Sequence, residues 1–269
     1  MFGHVCSLSL GLSLLFRTTS ALSLEVGNID SVKSLAKTLA GPIVDTYKDQ
    51  PKGTSPAIWT KKNTWSELGP IWGALVEYSY LTGDSQFDSV TAKALWSLNS
   101  LYEWFGTPSK SENVTNSAQS NWALAALTAA EVGFSKPGEG AWIDLAKKAF
   151  ENMADQWEGG ARKCGGGLTL GIYHPTDGST YKHTESSSNF FLLSARLARV
   201  TGDNAYITWA EKSFNWLRSA DLISDKYNIF DGMPEENCGE PDHLQMMNTY
   251  SPAIEGAAVM YNLVRILMS

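Results

Sequence analysis

Val32, Leu35, Ala36, Leu39, Ile43, Val44 and Tyr47 recur at helical spacing and predict a first helix over 29–48. Gly41-Pro42 interrupts that face, so a kink or split is expected there. Leu68, Ile71, Trp72, Leu75, Val76 and Tyr80 line a second helix over 64–82, which Gly83 stops. The same spacing predicts helices near 86–101, 117–132, 141–157, 187–201, 204–221 and 254–267. Residues 51–56, between two prolines, read as a loop.

The pattern repeats. Thr82-Gly83-Asp84-Ser85-Gln86-Phe87 matches Thr201-Gly202-Asp203-Asn204-Ala205-Tyr206, with Gly closing one helix and Asp opening the next. Glu131-Val132-Gly133-Phe134 ends a third helix in a similar way. Such self-similarity, one helix pair per unit, predicts an all-α array of stacked αα-hairpins. Ala123, Ala125, Ala126, Ala129 and Ala130 let neighbouring helices approach closely. Two long stretches stay outside the pattern, Gly159–His183 and Asp225–Thr249. Long ordered loops gathered at one end of a helical scaffold usually mark a site.

Residues 1–21 read as a secretory leader, with an apolar run from Val5 to Phe16 and the small cleavage site Thr19-Ser20-Ala21. The remaining 22–269 then form one domain. The net charge of −7 argues against nucleic acid and anionic membrane partners. Of three cysteines Cys6 leaves with the leader, and Cys164 and Cys238 remain as a candidate disulfide between the two long loops. Asn113-Val114-Thr115 is a glycosylation sequon. No apolar run is long enough to span a membrane. No metal-ligand spacing or phosphate loop occurs, so no cofactor is expected. His174, His183 and His243 fall on predicted loops, and His183 reads as a surface residue.

Asn116-Ser117-Ala118-Gln119 opens the fourth helix. Asn116 is a good N-cap and Gln119 completes a capping box, which puts Ser117 and Ala118 in the first turn.

With these residues in view, the chain resembles glycoside hydrolase family 76, the fungal mannan endo-1,6-α-mannosidases and cell-wall transglycosylases. The resemblance rests on Trp65-Ser66-Glu67-Leu68-Gly69, Trp72-Gly73-Ala74-Leu75-Val76, Tyr80-Leu81-Thr82-Gly83-Asp84 and Trp122-Ala123-Leu124-Ala125-Ala126. It continues through Cys164-Gly165-Gly166-Gly167-Leu168, Tyr181-Lys182, Phe190 to Arg199, Trp209-Ala210-Glu211-Lys212, Asp225-Lys226-Tyr227-Asn228, Asp231-Gly232 and Gly256-Ala257-Ala258. It implies an (α/α)6 toroid, of which about eight of twelve helices are present, with a groove for α-1,6-mannan or a mannoprotein glycan. It further implies a secreted or cell-wall location. Glycoside hydrolysis with retention uses two carboxylates roughly 5 Å apart. The family keeps adjacent Asp residues where this chain has Ser117 and Ala118, so no catalytic residue is assigned. Trp65, Glu67, Gln119, Trp122, Tyr181, Lys182 and Asp231 are the expected substrate-binding residues.

Three readings follow: an active mannan hydrolase or transglycosylase using other acids, a mannan-binding pseudoenzyme or secreted interaction protein, and a degenerate copy that does not fold alone. The end at Ser269 is expected to be artificial, and the alternative is a flank covered by a partner or second copy.

Overall fold

The computed structural model describes residues 23–48, 65–101, 115–136, 138–159, 163–172 and 180–268. The predicted leader, the 51–56 loop, Asn113 and His174 lie outside them. The chain divides into two compact units, Met1–Leu39 and Ala40–Ser269. In the first, Asn28 Oδ1 accepts from the amides of Asp30 and Ser31 and so caps the start of α1 (Ile29–Lys48). The helix passes through Pro42 without ending, so of the kink or split expected there the split does not occur. One backbone bond is lost at Pro42, while its carbonyl accepts from the Thr46 hydroxyl at 2.7 Å.

The second unit holds α2 (Trp65–Thr82), α3 (Asp88–Leu101), α4 (Asn116–Glu131), α5 (Trp142–Gly159), α6 (Thr184–Thr201), α7 (Asn204–Ser219) and α8 (Met247–Met268). Two short strands, β1 (Tyr181–His183) and β2 (Gly232–Pro234), pair antiparallel with Lys182 opposite Met233. Helices α2, α4, α6 and α8 pack side by side in that order. α3 lies against α2 and α4, α5 against α4 and α6, and α7 against α6 and α8. The inner helices run parallel. Gly69 of α2 sits on the backbone of Trp122 of α4, and one turn further Gly73 sits on Ala125. A Cβ at Gly69 would come within 2.8 Å of the Trp122 nitrogen, so only glycine permits this spacing. Asn189 of α6 donates to Asn121 of α4 at 3.2 Å, and Asn248 at the start of α8 donates to Glu185 at the start of α6 at 2.6 Å.

The core follows from this layering. Trp72, Trp122, Phe190, Leu95, Leu127 and Leu193 are fully buried. Behind α6, Phe150 stacks on Phe190 at 5.2 Å, and Trp157 meets Phe190 and Trp216 at 5.8 and 5.4 Å. These rings join α5, α6 and α7 into one aromatic seam, beyond which Phe191, Ala195 and Ala210 pack on Val259 of α8.

The repeated turn makes the same set of hydrogen bonds twice, but whereas Asp203 opens α7 directly, α3 begins only at Asp88, so Asp84 does not open the next helix as expected. Thr82 Oγ1 accepts from the Asp84 amide at 3.1 Å, and Thr201 Oγ1 from the Asp203 amide at 3.1 Å. Each hydroxyl also donates to a carbonyl four residues back, at 2.6 and 2.7 Å. The Asp carboxylates then accept from the amides of Gln86 and Ala205. Gly83 and Gly202 take φ of 74° and 70°, the left-handed closure that ends each helix.

Two helix starts differ from the sequence pattern. α6 begins at Thr184 rather than near 187, and α8 at Met247 rather than near 254, running through Pro252. The Ser-rich start of α6 carries no apolar periodicity, yet Thr184, Ser186, Ser187 and Ser188 are all buried. At α8, packing of Ala253 and Gly256 against α6 outweighs the one backbone bond removed by Pro252.

Candidate functional site at the loop end of the inner helices

The start of α4 is capped one residue earlier than expected. Thr115, at φ −101° and ψ 152°, is the N-cap, and its hydroxyl accepts from the Ala118 amide at 3.1 Å. Asn116 is therefore the first helical residue, not the cap. Its side chain is used differently: Nδ2 donates to Gln156 Oε1 and to the Thr169 carbonyl, each at 3.0 Å, tying α4 to α5 and to the loop 163–172. Its Oδ1 is buried without a hydrogen-bond partner. Ser117 and Ala118 do stand in the first turn, but they are 7% and 2% exposed. The Ser117 hydroxyl lies 3.1 Å from that of Thr115, and its carbonyl accepts from Ser120.

The first long loop reaches this turn through Thr169 and Leu170, and the second long loop is joined to the first. Cys164 and Cys238 form a disulfide, with their Cα atoms 5.1 Å apart. A Cβ on Gly167 (φ +79°) would fall inside the Trp216 ring, so the glycine run presses directly onto α7. The Asn116 amide donates to the Leu170 carbonyl, and the Leu170 amide to the Tyr181 carbonyl, each at 2.9 Å. The stretch before β1 thus pairs locally with it, while the main partner of β1 is the distant β2. Lys182 is 6% exposed, and its ammonium donates to the Gly167 carbonyl at 2.8 Å and pairs with Glu235 at 3.2 Å. Burial lowers its pKa, against the raising effect of Glu235.

A more accessible polar cluster surrounds Asp231. The Tyr181 hydroxyl donates to its carboxylate at 3.0 Å. Burial, with the Asp231 charge, raises the Tyr181 pKa. Burial and the same charge also raise that of Glu185 in the first turn of α6, while the bond from Asn248 opposes them. His183 is buried rather than superficial as expected. Its Nδ1 lies 2.9 Å from Ser186 Oγ, and burial lowers its pKa although Asp231 acts the other way. The cluster therefore brings together two hydrogen-bonded carboxyl groups, Asp231 and Glu185. Its donors and acceptors suit the hydroxyls of a neutral sugar.

Deeper along the inner helices lies a cleft of about 230 Å³ lined by Gly73, Asn121, Ala125, Leu192, Arg196 and Glu255, among others. Arg196 grips Glu131 through two bonds of 2.7 and 3.2 Å, donates to Thr128 at 2.8 Å, and lies 3.7 Å from Glu255. Burial pushes the Glu131 carboxyl up, but Arg196 and Arg199 more than offset this and hold it below its ordinary range.

The expected binding residues separate by burial. Tyr181 and Asp231 come together at the surface, and Glu67 is exposed in the first turn of α2. The Trp65 side chain lies outside the described residues. Trp122 is 0% exposed, and a ring with no open face cannot stack on a sugar; its place is in the core. Gln119 and Lys182 are also buried, Lys182 as a clamp between loops rather than a sugar ligand. Thr115, Glu185 and Asn248 are missing from the sequence expectation. Glu185 was hidden because the predicted α6 began after it. The acidic-first-turn rule would have marked it once the helix start was right.

Parallel inner helices with outer helices behind them and loops over one end define the (α/α)6-toroid class. The sequence profile of glycosyl hydrolase family 76 matches residues 31–265, and the chain belongs to that family. It is 31% identical over 260 residues to mannan endo-1,6-alpha-mannosidase DCW1 of Saccharomyces cerevisiae, a match covering 94% of this chain and 57% of that protein. Among solved structures it is similar to Dfg5 from Chaetomium thermophilum, crystallised with glucosamine, at 29% identity and a TM-score of 0.81, covering 90% of this chain and 61% of that one. A family 76 mannosidase from Bacteroides thetaiotaomicron shares the fold at 15% identity and a TM-score of 0.67, covering 86% and 66%. The chain thus spans a little over half the length of the curated relative.

Proposed function

We propose that this chain recognises α-1,6-linked mannan at the loop end of its inner helices, with catalysis impaired. The reading rests on the first turn of α4, which holds Ser117 and Ala118 where the family resemblance expects the acid pair. Among the described residues the neighbour of the Ser117 hydroxyl is the Thr115 hydroxyl rather than a base, and Ala118 has no proton to give. Loss of both members of a paired catalytic unit removes most of the rate. The mannan endo-1,6-alpha-mannosidase names of the relatives support the ligand class. The leader-like 1–21 segment and the Cys164–Cys238 bridge support passage through an oxidising, secretory route to the wall or medium.

The test is titration calorimetry with α-1,6-mannooligosaccharides, together with product analysis after long incubation. Binding without cleavage is expected. Absence of binding overturns the proposal, and turnover overturns its impaired part. A second reading takes the two hydrogen-bonded carboxyl groups of the cluster, Glu185 and Asp231, as the acids. Under it, slow cleavage would occur and would disappear in both Glu185→Gln and Asp231→Asn.

A further inference from the structure

Between α7 and β2 the chain makes a tight hairpin, closed by a bridge between Ile223 and Ile229. At its tip the Tyr227 amide donates to the Ser224 carbonyl at 2.9 Å, and the Asn228 amide to Ser224 Oγ at 3.1 Å. Tyr227 takes φ +60° and is 71% exposed. A left-handed tip favours Gly or Asn, and a bulky aromatic residue there is an outlier. Held strain of this kind concentrates where a side chain is needed for function.

The ring is also fixed in place. The Arg218 guanidinium stands 5.5 Å from its centroid. Arg218 is itself anchored, donating to the Ser224 carbonyl at 2.7 Å and to Asp225 at 2.9 Å. One side of the ring is thus backed by a clamped cation, and most of its surface faces solvent. The base of the hairpin joins the site end, where the Ile229 amide donates to the Tyr250 hydroxyl in the first turn of α8. Two residues later the strand delivers Asp231 to Tyr181.

We infer that Tyr227 is an outer stacking platform for a hexopyranose unit of a glycan lying across the loop end. The apolar face of the sugar would lie on the ring, and Asp225 and Asn228 flank it with groups for the hydroxyls. This rests on the mannan-binding reading above. It adds a subsite on the 223–229 hairpin, apart from the residues of the α4 turn.

The test compares wild type, Tyr227→Asn and Tyr227→Phe by calorimetry with α-1,6-mannohexaose, alongside hydroxyl-radical footprinting of the wild type with and without sugar. Asn suits the left-handed tip, so its melting temperature should equal or exceed that of wild type. Affinity should fall about tenfold in Tyr227→Asn, the loss of one aromatic contact, and stay within twofold in Tyr227→Phe. Footprinting should show Tyr227 protected by the sugar. Unchanged affinity in Tyr227→Asn, or an unprotected Tyr227, overturns the platform and leaves mannan binding intact. Equal losses in the Asn and Phe variants also overturn it, since the hydroxyl would then be responsible. Failure of the wild type to bind overturns both readings.

Discussion

Replacing Cys164 and Cys238 together by Ser removes one constraint and little else. The bridge spans a sequence separation of 74 residues. On the chain-entropy relation, closing a loop of that length lowers denatured-state entropy by about 15 cal/mol/K, or about 4.4 kcal/mol at 25 °C. Cys164 sits at φ +58°, a conformation Ser finds equally unfavourable, so that backbone cost cancels in the comparison. For a chain of this size the loss corresponds to roughly 10–15 °C in melting temperature. The assay is urea unfolding followed by helical circular dichroism, with the oxidised wild type as reference. The slope should rise slightly in the variant, because its unfolded chain is freer to expand. A loss below about 1 kcal/mol at an unchanged slope would refute the reasoning. It would mean that the β1–β2 ladder and the Lys182–Glu235 pair hold the loops together even when the rest has unfolded.

Arg196→Met should cost about 3 kcal/mol, toward the low end for a broken buried pair, because Arg199 still reaches Glu131 at 2.8 Å. Glu131 has a lowered folded pKa against an ordinary 4.5, so its contribution is present above that value and lost as pH falls through the folded pKa. The wild type should therefore lose stability below about pH 4.5 more steeply than Glu131→Gln, and parallel acid melts would contradict this. Gly69→Ala drives a Cβ to 2.8 Å from the Trp122 nitrogen and should cost about 1–3 kcal/mol by chemical denaturation; a neutral result would mean α2 and α4 can slide apart. Ser117→Asp with Ala118→Asp should leave mannan hydrolysis undetected, since Gln119 and Lys182, expected to bind the sugar, are buried; robust cleavage would refute this.

The helices were legible where one face is apolar, and so was the Thr-Gly-Asp turn, because both depend on neighbours within a few residues. The pairing of Cys164 with Cys238 was legible because Cys6, the third cysteine, falls in the leader-like segment. Burial of polar side chains was not legible. Lys182 looks like a ligand in sequence, and only the fold brings Glu235 beside it. His183 reads as a loop residue, yet strand pairing folds it inward. Trp122 reads as a sugar platform beside the α4 turn, whereas Gly69 lets α2 close over it. The N-cap was misplaced by one residue because Thr115 and Asn116 are both acceptable caps, and the choice depends on Gln156 and the Thr169 carbonyl reaching Asn116.

The Thr-Gly-Asp turn at 82–84 and at 201–203 repeats the same local hydrogen bonds, with the Tyr78 and Gln86 side chains joining the first copy. A joint built twice from the same local bonds would let helix pairs be exchanged as units. Unequal exchange between two such turns would delete or duplicate whole helix pairs while leaving every remaining pair correctly ended. Homologous chains differing by an even number of helices, with seams at this tripeptide, would be the genomic trace of that process.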